Sequence, residues 1–180
     1  MSVALLPKLN GLKNFIYQFV MYTIPSSYSF KKDMGDKELK FWTTQPNCFL
    51  VACPVDQPDK VLGCVAYKDV GKYPDSTNTP DLVSGTVEVN RMAVDKICRG
   101  LGIGRQLIES LLMKAKDEGF SKVYLSTSNG QASAIRLYRR VGFKEVVGRL
   151  GLETAILKYL VFLNGLYIHE FSYDLNKLNI

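Results

Sequence analysis

Residues 88–104 read Glu88-Val-Asn-Arg-Met-Ala-Val94-Asp-Lys-Ile-Cys-Arg99-Gly-Leu-Gly-Ile-Gly104. The alternating run up to Val94 predicts a strand, and the glycine-rich turn opened by Arg99 predicts its end. From Gly102 to Glu118, the residues Ile103, Leu107, Ile108, Leu111, Leu112 and Ala115 recur at helical spacing. Strand, glycine turn and helix in that order aim backbone N–H groups, and the positive end of a helix dipole, at one small space. A phosphate-bearing ligand is the natural occupant.

Working outward, Phe49–Cys53 reads as a buried strand, Asp56-Gln-Pro-Asp59 as a turn and Val61–Tyr67 as a second strand, together a hairpin. Asp33–Trp42 is charged and helical in pattern, ended by Gln45-Pro-Asn. Asp69–Ser84 is polar, without periodicity, and reads as a long surface loop. In Val87–Val94, alternation sets Glu88, Asn90 and Met92 on one face and Val87, Val89, Arg91 and Ala93 on the other. Downstream, Gly119 fits a left-handed helix cap and Lys122–Thr127 a strand. Ala132–Val141 reads as a helix with Leu137 and Val141 on one face, ended by Gly142; Phe143–Val147 and Leu166–Asp174 read as strands. Tyr159–Phe162 is apolar without a clear element. The order predicts a mixed α/β domain with at least one right-handed crossover.

The 180 residues suffice for one domain with a sizeable core. A net charge of +6 with no basic block suits an anionic small ligand or membrane surface, and argues against nucleic acid. Four cysteines without C-x-x-C spacing and one histidine argue against zinc, and read as reduced thiols of a cell interior. Residues 1–30 are unusual. Phe15–Ile24 is nearly all apolar, too short by itself to span a bilayer, and without a good cleavage site after it. It reads either as an interfacial segment or as a helix packed on the domain.

The ligand can be narrowed by counting glycines. G-x-G-x-x-G fails at Arg105 from Gly100 and at Leu107 from Gly102, and no P-loop occurs. Arg99, Gly102 and Gly104 instead fit Arg/Gln-x-x-Gly-x-Gly/Ala. With Glu88–Val94 before and Ala134-Ile-Arg-Leu-Tyr138-Arg-Arg-Val-Gly142-Phe143 after, residues 48–148 resemble the GCN5-related N-acetyltransferase (GNAT) superfamily. Within it the chain is most similar to the membrane-associated, N-acetyltransferase 8-like branch, which includes aspartate and cysteine-S-conjugate N-acetyltransferases. Asp33-Met-Gly-Asp36, Asn47-Cys-Phe-Leu-Val-Ala52, Glu88-x-x-Arg91-Met-x-Val94, Gln131 and Leu166–Tyr173 carry that likeness.

The resemblance implies a GNAT fold, a mostly antiparallel mixed sheet flanked by helices, as a single domain over residues 31–180. Met1 then falls inside what would be a membrane hairpin, making residues 1–30 its remnant. The first strand and helix are expected to be missing and a sheet edge to need cover. The implied activity is transfer of acetyl from acetyl-CoA to a primary amine (a small amino acid, a cysteine conjugate or a protein lysine) by direct attack in a ternary complex. Backbone groups of Met92, Ala93 and Val94 would pair with the pantetheine arm, one N–H polarising the thioester carbonyl. Arg99, Gly100, Leu101, Gly102, Ile103 and Gly104 would cradle the pyrophosphate. Gln131 is a further cofactor contact, where most of the superfamily has asparagine.

Glu88 is the candidate base, through a water, with a solvated strand carboxylate as the plain alternative. Tyr138 is the candidate acid toward the departing thiolate, or else a half-buried aromatic on its helix. Arg91 reads as a structural ion-pair partner or a carboxylate guide, and His169 as a satisfied strand histidine or a proton relay. No metal is implied. The expected location is intracellular, at an internal membrane such as the endoplasmic reticulum or else in the cytoplasm. The competing function is a non-catalytic CoA-binding or membrane-surface interaction module.

Overall fold

The computed structural model describes residues 2–5, 36–58, 60–72, 84–146 and 168–178. Its elements are β1 (Ser2–Leu5), α1 (Asp36–Thr43), β2 (Cys48–Cys53), β3 (Gly63–Asp69), β4 (Thr86–Val94), α2 (Ile103–Asp117), β5 (Lys122–Ser128), α3 (Ala132–Val141), β6 (Lys144–Val146) and β7 (Ile168–Asp174). The sheet order is β1-β2-β3-β4-β5-β7-β6. β4 and β5 run parallel, as the crossover through α2 requires, while β1–β2, β2–β3, β5–β7 and β6–β7 are antiparallel. The mixed α/β expectation is met. The chain divides into two compact units, Met1–Lys68 with Asn90–Leu111, and Asp69–Val89 with Leu112–Ile180.

In the first unit, all six residues of β2 are buried, which is why Cys-Phe-Leu-Val-Ala-Cys is a continuous apolar run rather than an alternating one. The register Phe49↔Ala66 and Val51↔Cys64 aligns small residues of β3 with larger ones of β2. These pack with Trp42, Cys53 and Ala93 in one cluster, edged by Phe41 and Val61. α1 delivers Trp42 and stops where Thr43 and Thr44 hydroxyls both bond the Lys40 carbonyl. The Asn47 side-chain amide donates to the Phe41 carbonyl. Near the start of β3, α2 crosses at Gly63, where a Cβ would lie 2.8 Å from the Ala93 carbonyl oxygen and 3.0 Å from Leu107 Cδ1.

The first strand, expected to be missing, is present and covers the edge of β2. Ser2–Leu5 is a strand that pairs with β2 from Ser2↔Cys53 to Leu5↔Leu50. Four residues, Ser-Val-Ala-Leu, are too few to display a period, and it is the open edge of β2 that specifies them as a strand. The expected missing helix, the Phe15–Ile24 run, residues 73–83 of the loop and Tyr159–Phe162 lie outside the described residues. Among the described residues no helix is long and apolar enough to cross a membrane.

In the second unit, α2 ends as expected. Gly119 takes φ 85°, and the Phe120 N–H donates back to the Ala115 carbonyl at 3.0 Å. The whole predicted stripe of α2 is buried. α3 also ends as expected, with Gly142 at φ 106° donating to the carbonyls of Tyr138 and Arg139. Its inward residues are Ile135 and Tyr138, however, not Leu137 and Val141, which are half-buried. The aromatic ring of Tyr138 finds partners in Phe143 and Phe171 at 5.7 and 6.0 Å, and that contact sets the roll of the helix.

Candidate active site

The turn after β4 is held by its own side chains. Asp95 Oδ1 accepts from the Ile97 N–H at 3.0 Å and starts a 3-10 turn over Lys96–Cys98. Arg99 Nε donates back to the Val94 carbonyl at 3.4 Å, tying the turn to the strand end. Gly100 and Gly102 take φ 87° and 84°, where side chains are strained, and a Cβ on either would meet nothing within 4 Å. The glycines therefore serve backbone direction and an open approach, not close packing. Buried Ile103 anchors the start of α2, whose first N–H groups have no acceptor within the helix, and whose first turn carries no acidic residue. Leu101 and Ile97 flank this opening, 73% and 89% exposed. Such a site suits an anion with an apolar extension.

The β4 segment leading into the turn departs from simple alternation. Arg91 takes φ 54°, a left-handed value rare for a residue with a side chain. Its guanidinium lies over the Trp42 ring at 5.5 Å, and its carbonyl accepts the Cys64 thiol at 3.3 Å. The ring face of Trp42 is thus one of the contacts that hold the guanidinium. Ala93 is buried in the cluster with Trp42, so only its backbone is available to a ligand.

The candidate catalytic groups stand in the second unit. Pairing of β4 with β5 runs from Thr86↔Lys122 to Glu88↔Tyr124. Glu88 is half-buried with its Oε2 shielded from solvent, and Tyr124 shares its face. Tyr138 contacts Phe171, which is paired with Leu125, the residue after Tyr124. Successive strand residues point to opposite faces, so Glu88 and Tyr138 occupy opposite faces of this part of the sheet. Tyr138 is 5% exposed, and burial pushes its hydroxyl up to about 12. Burial and the neighbouring Glu170 and Glu88 carboxylates also raise the Tyr124 hydroxyl.

Comparison with known proteins identifies the family. The family model described as "Acetyltransferase (GNAT) family" matches residues 17–143. The chain belongs to the acetyltransferase (GNAT) family. The chain is 35% identical to N-acetyltransferase 8B of Homo sapiens over 115 residues, 64% of this chain and 46% of that protein. To N-acetyltransferase 8F1 of Mus musculus it is 32% identical over 135 residues, 71% and 56% respectively. It thus spans about half the length of these curated relatives. Among solved structures, the ribosomal-protein-alanine N-acetyltransferase of Brucella melitensis aligns with TM-score 0.68 and 19% identity, over 97% of this chain and 99% of that one. The yncA protein of Salmonella typhimurium, solved with its cofactor acetyl-CoA, aligns with TM-score 0.66 and 17% identity, over 99% and 96%. At such identities these two show the fold.

As a member of the GNAT family, the chain has acetyl-CoA as its expected co-substrate. The structure brings Met92–Val94 and Arg99–Gly104 together in the first unit, joined by the Arg99–Val94 bond. Gln131 precedes α3, exposed, with its Oε1 accepting the Thr127 hydroxyl at 3.0 Å; this directs its amide N–H groups outward as donors. His169 Nδ1 lies 2.6 Å from Glu145 Oε1, while Arg139 donates to Glu145 Oε2 at 2.6 Å. Arg139 first, then His169, hold the Glu145 carboxyl below its ordinary range. That is the satisfied strand histidine of the two readings. Sequence reasoning missed Tyr124 and Glu170. The available hint was a glutamate in the apolar-aromatic run Ile168-His-Glu-Phe171, but its neighbours depend on strand register.

Proposed function

We propose that this chain is an acetyl-CoA-dependent N-acetyltransferase that acts on a primary amine by direct attack. The observation that carries the reading is the turn at Arg99–Gly104, with two left-handed glycines facing open space at the start of α2. Those N–H groups and Arg99 hold the pyrophosphate, and Gln131 donates to the pantetheine arm. Met92–Val94 lie where β4 has run past its last pair with β5 at Glu88, which suits backbone pairing with that arm.

Glu88, through a water, takes the proton the amine must lose. The amine nitrogen bonds to the acyl carbon, the C–S bond breaks, and Tyr138 supplies a proton to the thiolate. With its hydroxyl at about 12, Tyr138 still carries the proton at neutral pH.

The test is a melting curve with acetyl-CoA, followed by CoA thiol release over a panel of free amino acids, cysteine S-conjugates and lysine peptides. At a hundredfold excess over Kd, linkage supplies about 2.7 kcal/mol, a shift of several degrees. No shift at millimolar acetyl-CoA overturns the reading. A shift without thiol release from any amine makes the chain a CoA-binding module instead.

A further inference from the structure

On the sheet face that carries Glu88, two ionisable groups adjoin it in a row. Tyr124 stands directly across the parallel ladder from Glu88, and Glu170 of β7 is diagonal to Tyr124, two residues from its partner Ser172. The three side chains therefore form a row across β4, β5 and β7. Glu170 is 7% exposed, and a carboxylate buried that deeply needs a donor. Tyr124 supplies it, its hydroxyl hydrogen-bonding to Glu170. A phenol has one proton to give, so the one held by Glu170 is not donated to Glu88. A hydrogen bond to an ionised carboxylate stabilises that form and makes it a weaker base.

We propose that Glu170 is a positioning residue for the Glu88 base: by holding the Tyr124 proton it keeps the phenol from donating to Glu88. The inference rests on Glu88 acting as the base in the reading above. Glu170 acts only through Tyr124. Without its acceptor, the Tyr124 hydroxyl turns to the other carboxylate of the row and quenches it.

The experiment compares thiol-release kinetics of the wild type with Glu170→Met, Glu170→Gln and the double variant Glu170→Met/Tyr124→Phe. Tyr124→Phe alone is the reference for the last. The acetyl-CoA melting shift reports fold and cofactor binding throughout. Met matches the volume of Glu without an acceptor, and Glu170→Ala replaces it should the Met variant not fold. Glu170→Met should lower kcat roughly ten- to hundredfold, the size of one hydrogen bond to a charged group, with KM for acetyl-CoA unchanged. Glu170→Gln, whose amide carbonyl still accepts, should retain several times more activity than Glu170→Met.

The double variant should recover the rate of Tyr124→Phe alone. Deleting a second group cannot reverse a loss caused by disturbed packing, so this recovery separates positioning from structure. A double variant as slow as Glu170→Met, or a Glu170→Met that turns over like the wild type, overturns the inference. Glu88→Gln is measured alongside. If that variant keeps the wild-type rate, or the wild type releases no thiol, the base assignment falls and the inference with it. A slow Glu88→Gln without recovery in the double variant removes the inference alone.

Discussion

Arg91 is the residue whose backbone the sequence gives no reason to single out. Its φ of 54° costs about 1–2 kcal/mol for a side chain, and the Trp42 ring beneath the guanidinium offsets part of that. A β-branched side chain tolerates this conformation worst, and glycine accepts it freely. Arg91→Val should therefore be less stable than Arg91→Gly by about 1–2 kcal/mol in urea unfolding. Equal midpoints would mean that the strand relaxes there. Tyr138 makes a different prediction. As the proton donor it should be worth roughly a hundredfold in kcat, so Tyr138→Phe should slow turnover by that order while the acetyl-CoA melting shift persists. An unchanged rate would assign the thiolate's proton to another donor.

Among the elements, α2 depends on two glycines, one at its entry and one beneath it. Its entry needs Gly102 at φ 84° with open space before it. Gly102→Ala should cost about 1 kcal/mol of stability and weaken acetyl-CoA binding about tenfold, seen by calorimetry, because the N–H groups no longer point into one space. Its packing needs Gly63 for another reason. A methyl there would press on the Ala93 carbonyl oxygen at 2.8 Å and on Leu107. Backbone cannot yield cheaply, so Gly63→Ala should cost about 1–3 kcal/mol. In a chain of this length that lowers Tm by roughly 2–4 °C per kcal/mol. The two glycines look alike in the sequence and fail differently: one by φ, the other by contact.

For the whole molecule, two buried acids predict its alkaline limit. Burial pushes the Cys64 thiol from an ordinary 9.0 to about 12, and the Tyr138 hydroxyl from 10.0 to about 12. Each binds its proton more tightly folded than unfolded, so its stabilisation is complete below the unfolded value and is lost as pH rises toward 12. Between about pH 8 and about pH 11, the wild type should lose about 2–3 kcal/mol more than Cys64→Ala in urea midpoints. Parallel losses would show that the thiol ionises without resistance.

Much of this molecule is legible along the chain. The α2 stripe, the β2–β3 hairpin, the left-handed cap at Gly119, the helix stop at Gly142 and the turn at Arg99–Gly104 all appear in the residues. Each rests on periodicity or turn chemistry within a few positions, where backbone geometry leaves few options. Other features follow from pairings between segments remote in sequence. Ser2–Leu5 becomes a strand only against β2, and Tyr138 turns inward only because Phe171 awaits it. Gly63 is crowded only once α2 lies over β3, and Arg91 bends only with Trp42 beneath it. Glu88, Tyr124 and Glu170 share a row only through the registers of β4 with β5 and β5 with β7. A shift of one residue would turn every one of those side chains to the other face, and register is a property of the packed sheet, not of any strand read alone.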